Sequence, residues 1–490
     1  MAAEKRDWNW LVAFKGCVPH SVYSDDCSLD DKTYIMTNPE ETMGHPFLPS
    51  DAPFSIEEEA QRVVDMSKER PHPRKPVLAI VRGMGGGKTR LLEELRRQLL
   101  VQRKVLCLFI TFNGHWVIRK ETEAWPRCES PSMLYALLSI TRMASVFYGL
   151  DIDVVVKKLQ TCNLKSGAEA DAADAIRSFL SHVIAHASQV RSERQQPELC
   201  HLVVGVDEAY EAERIVSTRF GCDVTQVDVT SCLRVAVLDK SLALPSTLVI
   251  SSLSLTSLGV PLSTRPVQPL SVPSFIRPEL IVSHWWRGED RFCAEDIPKL
   301  LVVAQALCRL PRAVESAASF LTLHGPKEKS ANVCMDQAFT KALFASVGEA
   351  IALRYQSLNF PSIQMLKALV FSEQIPVTDV MQLIRTSFFT NVLSNFGANM
   401  QIKPEGSVAL LCAVAKNTDD SVVEFRDIRT QLMFDDLVLK THGDALQHFL
   451  VKAILLRLAV AIASKSPLSL QTLLCLDDIA DVAGEPGEIV

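Results

Sequence analysis

Arg82-Gly83-Met84-Gly85-Gly86-Gly87-Lys88-Thr89 is the stretch on which the reading of this chain turns. Five apolar residues, Val77-Leu78-Ala79-Ile80-Val81, precede it, and the amphipathic run Arg90-Leu91-Leu92-Glu93-Glu94-Leu95 follows. That order predicts strand, glycine loop and helix, the context a phosphate-binding P-loop requires. Glycines at 83, 85, 86 and 87 admit backbone conformations closed to residues with a Cβ, so successive N–H groups can turn inward around phosphate oxygens. A helix opening at Lys88 adds the partial positive charge of its N-terminus. In that arrangement Lys88 reaches the β- and γ-phosphates of a nucleoside triphosphate and acts on the transferred group. Thr89 holds Mg²⁺, and Arg90 stands beside them. One position departs from the pattern G-x-x-x-x-G-K-[ST]: Arg82 stands where the first glycine belongs, and Gly83 comes one place late. This favours binding over fast turnover. The plain alternative is a glycine-rich turn with an accidental Lys-Thr pair.

A second segment points the same way. His201-Leu202-Val203-Val204-Gly205-Val206-Asp207-Glu208 is an apolar run ending in two carboxylates. Buried parallel strands read as such runs, and their C-terminal ends are where open α/β sheets bind ligands. Asp207 is then a Mg²⁺ ligand and Glu208 the general base for an attacking water. The alternative is a buried strand followed by an acidic surface loop. Two further strand candidates end in polar residues: Thr247-Leu248-Val249-Ile250-Ser251-Ser252, whose hydroxyls can sense a γ-phosphate, and Val105 to Asn113.

At 490 residues the chain exceeds a single core. Hydrophobic residues at 48% and charged residues at 22% describe a folded chain rather than a disordered one. The net charge of −6 gives no support to nucleic-acid binding by counterion release, though a local basic face stays open. Thirteen cysteines without a C-x-x-C pair fit reduced thiols and argue against zinc. No apolar signal core follows Met1, and the longest apolar run, Phe449 to Ala463, is interrupted by Lys452 and Arg457 and too short for a bilayer. The expectation is an intracellular protein of cytoplasm or nucleus, with no membrane contact.

The predicted organisation is an N-terminal extension over 1–60, a P-loop NTPase core over 61–275, a helical lid over 276–335 and a mostly helical region over 336–490. The fold class is α/β, a three-layer core with a parallel sheet and helical insertions. Trp8, Trp10 and Phe14 are candidates to dock on the main body. Ser55 caps a helix that ends before Pro71, and Ser130-Pro131 opens another that Gly149 closes. Ile176, Phe179, Leu180 and Ile184 mark one buried face of a third. Ser263 to Leu270, with Pro266 and Pro269, reads as an irregular exit from the last core strand. A helical segment from Ile297 to about Leu323 breaks at Leu310-Pro311-Arg312. Arg312 in the first turn after that break is either a cation reaching back to the γ-phosphate or a plain surface arginine. His284-Trp285-Trp286-Arg287 reads as a packing patch, with base stacking as the alternative.

These residues resemble the NTPase module of the Crinkler and retrotransposon-hot-spot proteins of eukaryotic microbes. The resemblance rests on Gly85-Gly86-Gly87-Lys88-Thr89-Arg90-Leu91-Leu92, Thr111-Phe112-Asn113, Val206-Asp207-Glu208 and Leu310-Pro311-Arg312, over about 75–320. It implies an additional-strand P-loop ATPase related to AAA+ and STAND types, with ATP and Mg²⁺ as cofactors. Such a module acts in effector or nuclear roles and is often joined to a nuclease-like domain. Neither a Crinkler header in 1–60 nor a D…E-x-K constellation in 340–490 is visible here. Three functions follow. The first is an ATP hydrolase or switch coupled to a C-terminal effector or partner-binding region. The second is a nucleotide-locked interaction module with little turnover. The third is a small-molecule kinase, which Arg142 and Arg177, isolated in the 130–195 insertion, support poorly. Oligomerisation is left open.

Overall fold

Four apolar runs and one short proline-bounded segment build a parallel sheet: β1 (Val77–Val81), β2 (Val105–Thr111), β3 (His201–Asp207), β4 (Ser246–Ser252) and β5 (Val267–Pro269). The structure is a computed structural model. It describes residues 10–19, 55–68, 76–81, 87–102, 104–112, 122–126, 128, 130–161, 169–221, 231–252, 267–270, 277–286, 297–307 and 311–324, with short pieces between 340 and 462. The strand order is β2-β3-β4-β1-β5, with every neighbouring pair parallel. β4 therefore lies between β1, which enters the glycine loop, and β3, which ends in Asp207.

Every residue of β2 and β3 is buried, as expected for strands covered on both faces. Alternate side chains feed two cores. On one face Leu78, Ile80, Phe109, Val203 and Val249 pack with α2 (Ile56–Lys68) and α3 (Lys88–Val101). On the other, Ala79, Leu108, Ile110, Val204, Val206, Leu248 and Ile250 join a larger cluster formed with helices. On the first of these faces two strands approach closely. Gly205 is the register partner of Phe109, and a Cβ on Gly205 would lie 2.4 Å from the Phe109 ring.

The larger cluster is centred on α4 (Pro131–Tyr148). Ser130 caps it by accepting from the Met133 N–H at 3.4 Å, Pro131 occupies its first position, and Gly149 ends it at φ 60°. Its interior is buried nearly all round. It lies against β2, α5 (Ile152–Gln160), α6 (Glu169–Glu193), α7 (Ala209–Phe220) and α8 (Ser231–Val237). The insertion between β2 and β3 is thus an added helical layer rather than an extended arm. α1 (Trp10–Ala13) lies on α5 and α6, and the following Phe14 stacks on Tyr148 with ring centroids 4.7 Å apart. Among the described residues no single helix is long and apolar enough to cross a membrane. α4 and α5 together reach that length and composition but bend by 118° at their junction.

β5 corrects the expectation of an irregular exit after β4. Prolines at 266 and 269 mask it in the sequence. It lies at the sheet edge, where a missing N–H is tolerated, and it pairs with β1 through Val77↔Val267 and Ala79↔Pro269. The Leu270 N–H then donates to the Ala79 carbonyl at 2.8 Å.

The chain divides into two compact units, with the boundary between Val272 and Pro273. The second unit contains α9 (Pro278–Trp286), α10 (Ile297–Leu307) and α11 (Pro311–His324), which pack on one another, with Ile281, Trp285, Leu300, Val303, Ala317 and Leu321 buried. The helix break at Leu310-Pro311 falls where the sequence places it. Of the His284-Trp285-Trp286-Arg287 patch, Trp285 is buried. Beyond it, the described pieces include a small antiparallel sheet, β6 (Ile375–Pro376), β8 (Gln401–Pro404) and β7 (Phe389–Leu393), in that order. Most of the 336–490 region lies outside the described residues.

Candidate nucleotide site

Parallel strands end together, so the C-terminal edge of the sheet collects β2, β3 and β4 residues at one place. Asp207, the last residue of β3, has no exposed surface. Three hydroxyls converge on its carboxylate. Thr89, in the first turn of α3, donates to Oδ2 at 2.9 Å, and Thr111, at the end of β2, donates to the same oxygen at 3.1 Å. Ser251 of β4 donates to Oδ1. The register that pairs Thr111 with Asp207 also lets the Phe112 N–H donate to the Asp207 carbonyl at 2.9 Å. Burial raises the Asp207 carboxyl from 3.8 to about 6, and the neighbouring Glu208 charge pushes the same way. The Ser251 hydroxyl, the Lys88 ammonium and the Thr89 hydroxyl pull it back.

Lys88 opens α3 and is itself buried. Its Nζ lies 3.2 Å from Glu208 Oε1. Glu208 precedes α7 in a left-handed conformation, φ 51° and ψ 42°. A residue with a side chain rarely adopts that conformation, which costs about 1–3 kcal/mol and is retained mainly at functional turns. Its N–H donates to Ser251 Oγ at 3.2 Å, so Ser251 serves both carboxylate residues. Gly87 sits at φ 86°, a conformation only glycine takes without strain, and its carbonyl accepts from Leu91 to begin α3.

Lys88, Thr89, Asp207 and Glu208, distant in sequence, are therefore assembled at one edge with Ser251. Asp207 and Thr89 present hard oxygen donors of the kind Mg²⁺ accepts, leaving further positions to phosphate and water. Among the described residues no group of three His, Cys, Asp or Glu side chains could hold a metal ion. Arg90 pairs with Glu94 on its own helix, 2.7 Å apart. Arg312 is the second residue of α11, in the second unit. Gly83, Gly85 and Gly86, with Arg82 and Asn113, lie outside the described residues.

Two residues beside the site have no side-chain role assigned from sequence. Thr111 belongs to a strand-end motif, and only the pairing of β2 with β3 brings its hydroxyl to Asp207. Arg142 looked isolated. It is buried on α4, donates through Nη1 to the Thr111 carbonyl, and lies over the Phe112 ring at 5.1 Å. Arg177, by contrast, pairs with Asp174 and Asp239 at the partly exposed face of α6.

No protein-family model matches the chain, and no curated protein matches it. Among solved structures, the chain is similar to one in the structure of Drosophila ORC bound to DNA. The identity is 14% and the TM-score 0.32, covering 76% of this chain and 89% of that one. A TM-score this low decides neither fold family nor function.

Proposed function

We propose that this chain is a P-loop NTPase that binds ATP with Mg²⁺ at Lys88, Thr89 and Asp207 and hydrolyses it with Glu208 as base. The observation that carries the reading is the convergence of Lys88 on Glu208, and of Thr89 on Asp207, at the C-terminal edge of a parallel sheet. The strand order supports it. β4 lies between the loop-bearing strand and the carboxylate strand, the arrangement an additional-strand NTPase needs. The Crinkler-like motif set implies the same class.

In this reading the described residues divide the work. Gly87 and the first N–H groups of α3, with Lys88, hold the phosphates. Bound Mg²⁺ supplies charge neutralisation on the transferred phosphoryl group. Asp207 and Thr89 hold the metal, and Thr111 and Ser251 orient Asp207. Lys88 exchanges Glu208 for phosphate, which frees the Glu208 carboxylate to take a proton from water. The glycines at 83, 85 and 86 complete the cradle. The motif resemblance alone adds a lid over 276–335 with Arg312 as its cation, and a C-terminal region that reads the nucleotide state toward a protein partner. The Lys88–Glu208 pair also favours a second reading, a nucleotide-locked interaction module, because the base is engaged before ligand arrives.

The test is ATP binding and phosphate release by wild type, Lys88→Ala and Glu208→Gln. Wild type should turn ATP over, Lys88→Ala should lose binding, and Glu208→Gln should bind without turnover. Tight binding with no turnover in wild type selects the locked module. Equal activity in all three proteins contradicts a hydrolytic site here.

A further inference from the structure

We infer that Arg142 is a positioning residue of the nucleotide site, holding the end of β2 so that Asp207 keeps the orientation in which it binds metal. The inference rests on the nucleotide reading above and assigns it a control point in the α4 layer. A guanidinium is costly to remove from water and is retained in a core only where its donors and its charge are engaged. Arg142 sits in a helix buried nearly all round, among Leu138, Ile140, Met143 and Ala144, where an apolar side chain would pack without that cost. Its planar group instead grips two consecutive residues, through Nη1 to the Thr111 carbonyl and through its face over the Phe112 ring at 5.1 Å.

Both gripped residues are bonded to Asp207. The Thr111 hydroxyl donates to Oδ2 at 3.1 Å, and the Phe112 N–H donates to the main-chain carbonyl at 2.9 Å. Two routes therefore run from α4 to the proposed metal ligand, one through its side chain and one through its backbone. α4 lies against α5, α6, α7 and α8, and α7 begins one residue after Glu208.

The experiment uses the full chain as wild type, Arg142→Met, Arg142→Lys, Thr111→Val and the Arg142→Met/Thr111→Val double variant. It measures the Mg²⁺ concentration that half-saturates binding of a fluorescent ATP analogue, beside binding in EDTA and the thermal midpoint. Loss of a group that orients a metal ligand typically weakens metal affinity by about 10–100-fold. Arg142→Met should raise the half-saturating Mg²⁺ into that range, with a smaller change in EDTA. Arg142→Lys keeps the charge but loses the planar grip, and should fall between. The double variant should be no worse than the poorer single, because both changes act on one strand end. If Arg142→Met does not fold, Arg142→Lys against Thr111→Val carries the same comparison. Wild-type Mg²⁺ dependence in either folded Arg142 variant, or losses that simply add, overturns the inference and leaves the nucleotide reading standing. A wild type whose nucleotide binding ignores Mg²⁺ overturns both.

Discussion

Replacing Asp207 with Asn should make the nucleotide-free protein more stable at neutral pH while abolishing its response to Mg²⁺. The Asp207 carboxyl is fully buried and raised from 3.8 to about 6. When the folded value lies above the unfolded one, the unfolded chain releases its proton first as pH rises. Stability is then lost across the window from 3.8 to about 6 and stays lost above it. At roughly 1.4 kcal/mol per pH unit, that gap corresponds to ~3 kcal/mol at pH 7.5. An amide of the same size removes the charge, and the Thr89, Thr111 and Ser251 hydroxyls can rotate to donate or accept. With about 2–4 °C per kcal/mol for a folded unit of this size, Asp207→Asn should raise the thermal midpoint by roughly 6–12 °C at pH 7.5. The assay is thermal unfolding of both proteins at pH 7.5 and pH 5, each with and without Mg-ATP. The advantage should shrink at pH 5, inside the window, and Mg-ATP should stabilise only wild type. A variant less stable than wild type at pH 7.5, or an advantage equal at the two pH values, refutes the reasoning.

Two structural predictions accompany it. Gly205→Ala drives a Cβ toward the Phe109 ring at 2.4 Å and should cost about 1–3 kcal/mol, read by urea unfolding; an unchanged midpoint contradicts the close strand approach. Phe14→Ala removes a ring that is 2% exposed and stacked on Tyr148. It should cost about 3 kcal/mol and speed proteolysis around residues 10–19, and unchanged cleavage contradicts the docking of this segment.

The parts of the fold readable in advance are local ones. Val77 to Leu95 carries strand, loop and helix signals in immediate succession, and His201 to Glu208 shows an apolar run with carboxylates at its end. Ser130-Pro131 and Gly149 mark α4 because capping chemistry involves near neighbours. The rest depends on pairing between distant segments. β5 is hidden by prolines that an edge strand tolerates, so its existence follows from β1 beside it. Cap signals mark the ends of α4 but do not show that other helices cover it nearly all round. Thr111 enters only within the Thr111-Phe112-Asn113 strand end, which gives its hydroxyl no role, and Arg142 carries no motif. Their roles appear only when register sets Thr111 opposite Asp207 and packing sets α4 over the strand end.

The most direct test of the account is calorimetric titration of the full chain with ATP in the presence of Mg²⁺, for wild type and Lys88→Ala. Lys88 is buried, opens α3 and holds Glu208 at 3.2 Å, so it stands where phosphate recognition and the proposed base meet. The account predicts saturable, Mg²⁺-dependent binding in wild type and its loss in a folded Lys88→Ala. No binding by wild type, or equal binding by both proteins, would contradict it.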